Sequence, residues 1–198
     1  MLSTGFYDVA EGHLATVVTH LEMLQAADPR ACAAPDGLTL RHVNEPDLDW
    51  YRALFLKVGG IPWLWFSRLT TADSDMRFVL GDPNVEVHGL FRDDEALGLL
   101  ELDFRDKGAC ELALFGVVPE LTGTTAGRFL MNAAIARAWA RDIVRFHVHT
   151  CTLDHPRALR FYRRSGFTPV RQEVEVLADP RLSGVLPREA APHIPMFG

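Results

Sequence analysis

Apolar and polar positions mark out most of the chain's elements. LTLRHV, from Leu38, alternates with period two and predicts a first strand. Asn44-Glu45-Pro46-Asp47 offers helix-capping chemistry, and Leu48, Tyr51, Leu54, Phe55 and Val58 then recur at helical spacing as far as Gly59-Gly60, where the helix is predicted to end. An aromatic-rich segment, Pro62–Leu69, follows. Val85–Phe91 and Leu97–Phe104 read as strands joined at Arg92-Asp93-Asp94-Glu95, and Ala109–Val118 as the next strand. Thr125–Arg141 is predicted to be a helix with Phe129, Leu130, Ala133, Ala134, Ala138 and Trp139 on its inner side. Ile143–Thr150 alternates, with Val144, Phe146 and Val148 facing the core and Arg145, His147 and His149 opposite. Asp154 caps a short helix that Gly166 stops, and Val170–Val176 closes with another alternating strand.

Residues 1–37 are less legible. Leu14–Leu24 is rich in β-branched residues, yet Leu14, Val17, Val18, Leu21 and Leu24 also keep helical spacing. The segment is expected to be an N-terminal extension packed on a domain spanning 38–198. Strands and helices alternating in this order make a mixed α/β (α+β) architecture. They also predict a phosphate ligand where a strand hands over to the helix beginning near Thr125.

Composition narrows the class. The 198 residues are 48% hydrophobic and 23% charged, as expected for one well-cored globular domain. The apolar runs are too short to span a membrane, and MLSTGFYDV lacks the features of a secretory signal. Cys32, Cys110 and Cys151 are an odd set at irregular spacing, which argues against a disulfide framework and for a cytoplasmic setting. The net charge of −6 argues against nucleic acid as a partner and suits a cationic amine.

The chemistry concentrates in Leu114–Phe167. LFGVVPELTGTTAGRFLMNAAIARAW carries a strand through a proline into a small-residue loop and a helix, and DHPRALRFYRRSGF follows about thirty residues later. Small residues let backbone N–H groups close on phosphate oxygens at the positive end of a helix. This pair of motifs resembles the GNAT superfamily of acetyl-CoA-dependent N-acetyltransferases, most strongly over residues 85–176. The resemblance implies a mixed central sheet of six to seven strands flanked by about four helices and splayed at the CoA site. It implies acetyl-CoA as cosubstrate and no metal. The pyrophosphate loop would be Thr122-Gly123-Thr124-Thr125-Ala126-Gly127, followed by Arg128. Thr122 stands where the family has Arg or Gln, and Thr125 where it has glycine.

Where the family's strands splay apart, a backbone N–H near Val117 or Val118 is expected to meet the oxyanion. His155 stands where the family has an asparagine on the pantetheine arm. Tyr162 occupies the position of the tyrosine that assists thiolate departure. A protonated amine cannot attack a thioester, so a base is needed. Glu111, on the strand leading to the loop, matches the offset of the glutamate base in protein-lysine acetylating members. Strict alternation would place it on one face with Ala113, Phe115 and Val117. Glu101 on the preceding strand, with Asp103 on its face, is the competing base.

The family's acceptor wall corresponds to Tyr51, Phe55, Trp63, Trp65 and Arg68, which suits an aromatic or amino-acid-like amine whose carboxylate Arg68 would hold. His147-x-His149 matches no zinc spacing and reads as ordinary exposed histidines. The expected protein is a cytoplasmic acetyltransferase for a small-molecule primary amine, working by direct attack in a ternary complex, without nucleic-acid or membrane partners and with room for a homodimer. The alternatives are a protein lysine or N-terminal acetyltransferase and a non-catalytic acyl-CoA-binding module.

Overall fold

Period-two segments become one sheet because each can bury at least one face. The computed structural model describes residues 2–198. Its strands are β1 (His13–Met23), β2 (Thr39–His42), β3 (Val85–Arg92), β4 (Glu95–Asp103), β5 (Ala109–Val117), β6 (Arg145–Cys151) and β7 (Thr168–Ala178). They form a seven-stranded sheet in the order β2-β3-β4-β5-β6-β1-β7. The β5–β6 pair is parallel and its neighbours are antiparallel. The helices are α1 (Leu48–Phe55), α2 (Ile61–Trp63), α3 (Ser67–Thr70), α4 (Asp73–Leu80), α5 (Ala126–Ala138) and α6 (Ala158–Arg164).

Successive strand residues serve opposite layers, as the pleat requires. Leu99 packs with Tyr51, Phe55 and Met76 of the α1–α4 layer. Its neighbours Leu100 and Leu102 pack with Leu130, Ala134 and Tyr162 of the α5–α6 layer. In β6, Phe146 and Val148 are buried as expected, but Val144 precedes the strand and is exposed. In α5 the buried stripe is Ala126, Leu130, Met131, Ala134, Ile135 and Ala138, so Phe129, Ala133 and Trp139 sit at its margins.

The segment Leu14–Leu24 resolves as strand. Its β-branched run Thr16–Thr19 fits the pleat, whereas a helix would have turned Val17 and Leu24 inward, and both are exposed. β1 does not lie over the domain from outside. It runs between β6 and β7 and is hydrogen-bonded to both.

Asp47 caps α1 as anticipated, accepting from the backbone N–H groups of Asp49 and Trp50 at 3.0 Å. Gly59-Gly60 does not end the helix. The backbone continues through a π-turn, Leu56–Gly60, into α2, and reverses only at Leu64, which takes a left-handed φ of 58°. Gly59 is there for another reason: a Cβ on it would lie 1.9 Å from the Trp65 ring. Helix α4 has no counterpart in the sequence reading, because it buries only Met76 and Leu80.

Residues 179–198 fold back without regular structure. Arg181 is buried against Asp179 at 2.7 Å and also donates to the Ala190, Ala191 and Ile194 carbonyls. The Ala191 N–H reaches the Ile61 carbonyl at 2.8 Å, so this segment braces α2 from behind.

Candidate active site

β5 and β6 pair only through Ala109–Glu111 and Arg145–His147, and then they diverge. The gap opens into a cavity of about 820 Å³ that runs from the loop before α5 to the exposed face of the sheet. A β-bulge shapes its wall. Glu111 pairs with Asp103 and Leu112 with Leu102, but Leu114 then pairs with Glu101, which leaves Ala113 extra. The extra residue reverses the alternation. Glu111 therefore shares the face of Glu101 and Asp103, while Phe115 turns to the other layer and meets Phe161 and Tyr162 of α6. This corrects the expectation that Glu111, Ala113, Phe115 and Val117 share one face.

At one end of the cavity lies the small-residue loop before α5. Thr122, Gly123, Thr124, Gly127 and Arg128 line it. Gly123 has φ +84°, and a Cβ on either Gly123 or Gly127 would meet nothing within 4 Å, so both glycines front open space. Thr124 Oγ1 accepts from the Ala126 N–H at 3.2 Å. The N–H groups of Gly127 and Arg128 find no acceptor among the described residues, as the first turn of a helix leaves them. Arg128 hydrogen-bonds Ser165 at 2.9 Å and has no carboxylate partner among the described residues. Burial first, and then the neighbouring Arg30 and Arg164, push its pKa down, the signature of uncompensated positive charge. Thr125, Ala126 and Val118 do not line the cavity; Ala126 and Val118 are buried, whereas Thr125 is exposed elsewhere.

Val118 cannot supply the oxyanion contact, because its N–H donates to the Leu97 carbonyl at 2.9 Å. Alternation turns the N–H of Val117, which does line the cavity, the opposite way, into the gap between β5 and β6. Tyr162 is buried, yet its hydroxyl has no partner among the described residues and Tyr162 borders the cavity. Burial, followed by the field of Asp154, holds its phenol well above the usual pKa. His155 lines the same stretch. Its Nδ1 accepts from the Arg157 N–H at 3.0 Å, which leaves Nε2 as the free ring nitrogen. Its ring stands edge-on to Trp63.

Asp154 does not cap α6, which begins four residues later at Ala158 and has Arg157 at its N-cap position. Its carboxylate accepts from Trp65 Nε1 (2.9 Å), the Thr150 hydroxyl (2.6 Å) and the Cys151 N–H (3.0 Å). It thus ties the end of β6 to the loop after α2, a role the capping pattern concealed.

At the opposite end lie the two carboxylate candidates. Glu101 is fully buried, its oxygens are held by the Tyr51 hydroxyl and Arg68, and it does not line the cavity. Burial pushes its carboxyl pKa up against the pull of Arg68. Tyr51 is equally buried and braces Glu101 rather than forming a wall. Glu111 does line the cavity, with His149 Nδ1 at 3.6 Å from its Oε1. The histidine, chiefly, holds its pKa below the usual carboxylate value. Phe55, Trp63, Trp65 and Arg68 form the adjoining wall. Among the described residues no group of histidine, cysteine or acidic side chains could hold a metal ion, and no helix is long and apolar enough to cross a membrane.

Comparison with known proteins places this geometry. The model of the Acetyltransferase (GNAT) family matches residues 48–167. Among solved structures, a GCN5-related N-acetyltransferase from Sphaerobacter thermophilus superposes with a TM-score of 0.63 at 17% identity, over 89% of this chain and 54% of that one. A GCN5-related N-acetyltransferase from Kribbella flavida gives 0.55 at 16% identity, over 87% of this chain and 63% of that one. An aminoglycoside acetyltransferase from an uncultured soil metagenomic sample, in complex with sisomicin, gives 0.52 at 16% identity, over 66% and 88%. The chain spans about half the length of the first of these, and at such identities the likeness is one of fold. No curated protein matches the sequence significantly.

Proposed function

The chain belongs to the GNAT acetyltransferase family, and on that premise we propose that it moves an acetyl group from acetyl-CoA to the primary amine of a small molecule, by direct attack in a ternary complex. The observation that carries this reading is the sharing of one cavity by an anion-receiving loop, an unpartnered phenol and a carboxylate–imidazole pair.

The residues fit each part of the cosubstrate. The glycine-fronted loop and Arg128 suit the pyrophosphate. His155 would lie along the pantetheine arm, and the Val117 N–H would face the thioester oxygen. Tyr162 would give its proton to the departing sulfur. Its raised pKa means that it starts fully protonated, and it recovers the proton that the new amide nitrogen sheds. Glu111 marks the end at which the amine loses its first proton, and Glu101 acts behind it by holding Arg68.

The acceptor wall supports an amino-acid-like or aromatic amine. Trp63, Trp65 and Phe55 provide flat apolar surface. Arg68 spends one amino group of its guanidinium on Glu101 and can turn another toward a carboxylate. The sisomicin complex of a structural neighbour keeps polycationic amines on the list of acceptors to test.

The test is release of CoA thiol from acetyl-CoA across amino acids, polyamines, arylamines, aminoglycosides and lysine peptides, with Tyr162→Phe and Glu111→Gln alongside. Acceptor-dependent release that falls ~10- to 100-fold in Tyr162→Phe, with acetyl-CoA affinity unchanged, is expected. Tight acetyl-CoA binding without release for any acceptor would instead identify a binding module, and release confined to peptides a protein acetyltransferase.

A further inference from the structure

Four strands carry a row of ionisable side chains across the exposed face of the sheet beside the cavity. Glu111 on β5 lies next to His147 and His149 on β6, His149 pairs directly with His20 on β1, and His20 pairs with Arg171 on β7. His149 Nδ1 stands 3.6 Å from Glu111 Oε1, its ring centroid is 5.9 Å from that of His20, and His20 Nε2 is 2.6 Å from Glu173 Oε1. The two β6 histidines differ in where they lead. His147 lines a separate cleft with Asp106 and Arg145, whereas His149 lines the main cavity. His149 also keeps 55% of its side chain open to solvent.

A carboxylate 3.6 Å away on the Nδ1 side favours the tautomer of the neutral imidazole that carries its proton there and leaves the Nε2 lone pair free. This is how a carboxylate orients a histidine base in a dyad. We propose that His149, oriented by Glu111, is the general base that takes the proton from the acceptor's ammonium group; the assignment rests on the acetyl-transfer reading above. The balance is complete. The ammonium gives one proton to His149 Nε2, and the freed nitrogen pair forms the N–C bond as the C–S bond breaks. The thiolate takes up the second nitrogen proton through Tyr162, and His149 returns its own to bulk water along its exposed edge.

The surroundings favour that division of labour. His149 is faced by Glu111 from β5, His147 on its own strand, His20 from β1, Arg171, Glu173 and Glu175 from β7, and Cys151 and Asp154 at the end of β6. Beyond Glu111, Asp103 on β4 is already neutralised by Arg105 at 2.6 Å. Contact with Glu111 is the largest influence and raises the imidazole's pKa above 6.5, with Asp154 and Glu175 adding to it. The same contact depresses Glu111, which makes the carboxylate the weaker base and the imidazole the better match to neutral pH.

Two readouts decide it. In an NMR titration of the histidine ring protons, the resonance absent from His149→Gln should titrate above pH 6.5 in the unaltered protein and move down in Glu111→Gln. In CoA-thiol release with the fastest of spermidine, tyramine, L-phenylalanine and a lysine peptide, His149→Gln should lower kcat/KM ~100-fold and abolish the acidic limb of its pH profile. Acetyl-CoA affinity should stay unchanged, while Glu111→Gln keeps the limb at a lower pH. A His149→Gln protein that retains both the limb and its rate within ~3-fold overturns the proposal and leaves Glu111 as the direct base. If none of the four amines reacts, the acetyl-transfer reading fails for those acceptors and the titration alone decides: a resonance at or below 6.5, unmoved by Glu111→Gln, overturns the dyad.

Discussion

Replacing Gly59 by alanine is the most exacting check on how the acceptor wall is built. In an ordinary helical position this change stabilises by ~0.5–1 kcal/mol, because alanine loses less backbone entropy. Here the sign reverses. The new Cβ would lie 1.9 Å from two ring atoms of Trp65 and 2.6 Å from a third. Normal contact requires a shift well over an ångström, which the ring can make only into the cavity and at the cost of the contacts that hold it. Its Nε1 is held by Asp154 at 2.9 Å, and the ring also closes on Gly116, where a Cβ would stand 3.3 Å from it. Overpacking of this kind costs ~1–3 kcal/mol, and loss of the hydrogen bond to the Asp154 carboxylate adds ~1.5–3 kcal/mol if the ring swings out. A net loss of about 3 kcal/mol corresponds to roughly 6–12 °C in Tm for a chain of this size. Calorimetry on Gly59→Ala, Trp65→Leu and the double variant gives the coupling directly. The alanine should be nearly neutral once the indole is gone. Gly60→Ala is the milder comparison, since its Cβ would meet the movable end of Leu56 at 2.8 Å and the Trp65 carbonyl oxygen at 3.2 Å rather than a ring at 1.9 Å. A Gly59→Ala protein within ~1 kcal/mol of the parent would show that Trp65 is not fixed in this way.

Acid should weaken the fold through His88. Its buried ring is held to about 4 by desolvation, so the unfolded chain takes the proton first as pH falls below 6.5, and stability drops by about 3 kcal/mol between pH 6.5 and 4 and no further from this group; urea unfolding of His88→Gln should show a shallower slope over that range, and an identical slope would refute the assignment. Gly127→Val should leave Tm nearly unchanged, because its Cβ meets nothing, while weakening acetyl-CoA at least ~10-fold in calorimetric titration, equivalent to one lost charge-assisted contact; unchanged affinity would remove Gly127 from the cradle. Arg181→Ala strands the buried Asp179 carboxylate and several carbonyls, for an expected loss of ~3–5 kcal/mol, and Arg181→Lys should not restore it because one ammonium cannot span that set of acceptors.

What the sequence disclosed follows the range of the interactions involved. Strand and helix patterns within β2–β6, α1 and α5 are local, and so are the glycine-rich turn and the Tyr162 helix, so these were legible. The structure departs from the reading wherever a distant partner decides. β1 carries a β-branched run that fits a strand, but its helical spacing left the choice open until β6 and β7, which flank it, decided it. Gly59 looks like a helix terminator until Trp65 is seen against it, and Asp154 looks like a cap until Trp65 claims its carboxylate. The alternation that grouped Glu111 with Phe115 is sound for a regular strand and fails at Ala113 because a bulge is fixed by cross-strand pairing. Glu101 and Glu111 are alike in sequence terms, and only burial separates the carboxylate that braces Arg68 from the one that lines the cavity.

That bulge does more than correct a register. Without the extra residue, β5 would carry Phe115 on the face of Glu111, away from α6, and the aromatic contact that seats Tyr162 would be lost. With it, one strand sends Glu111 to the exposed face and Phe115 to the helix layer, so a single stretch of backbone fixes the relation between the two ends of the cavity to which the proposed reaction assigns proton acceptance and thiolate departure. The electrostatics follow the same division. Arg128 borders the loop end without a carboxylate partner among the described residues, while Glu111 and Glu175 line the cavity together with Arg68 and Arg105, which are already paired with Glu101 and Asp103. This distribution favours one orientation for a polyanion and an ammonium ion in the proposed reaction, with the polyanion at Arg128. The bulge is for that reason the smallest feature of this chain on which both halves of the proposed reaction depend.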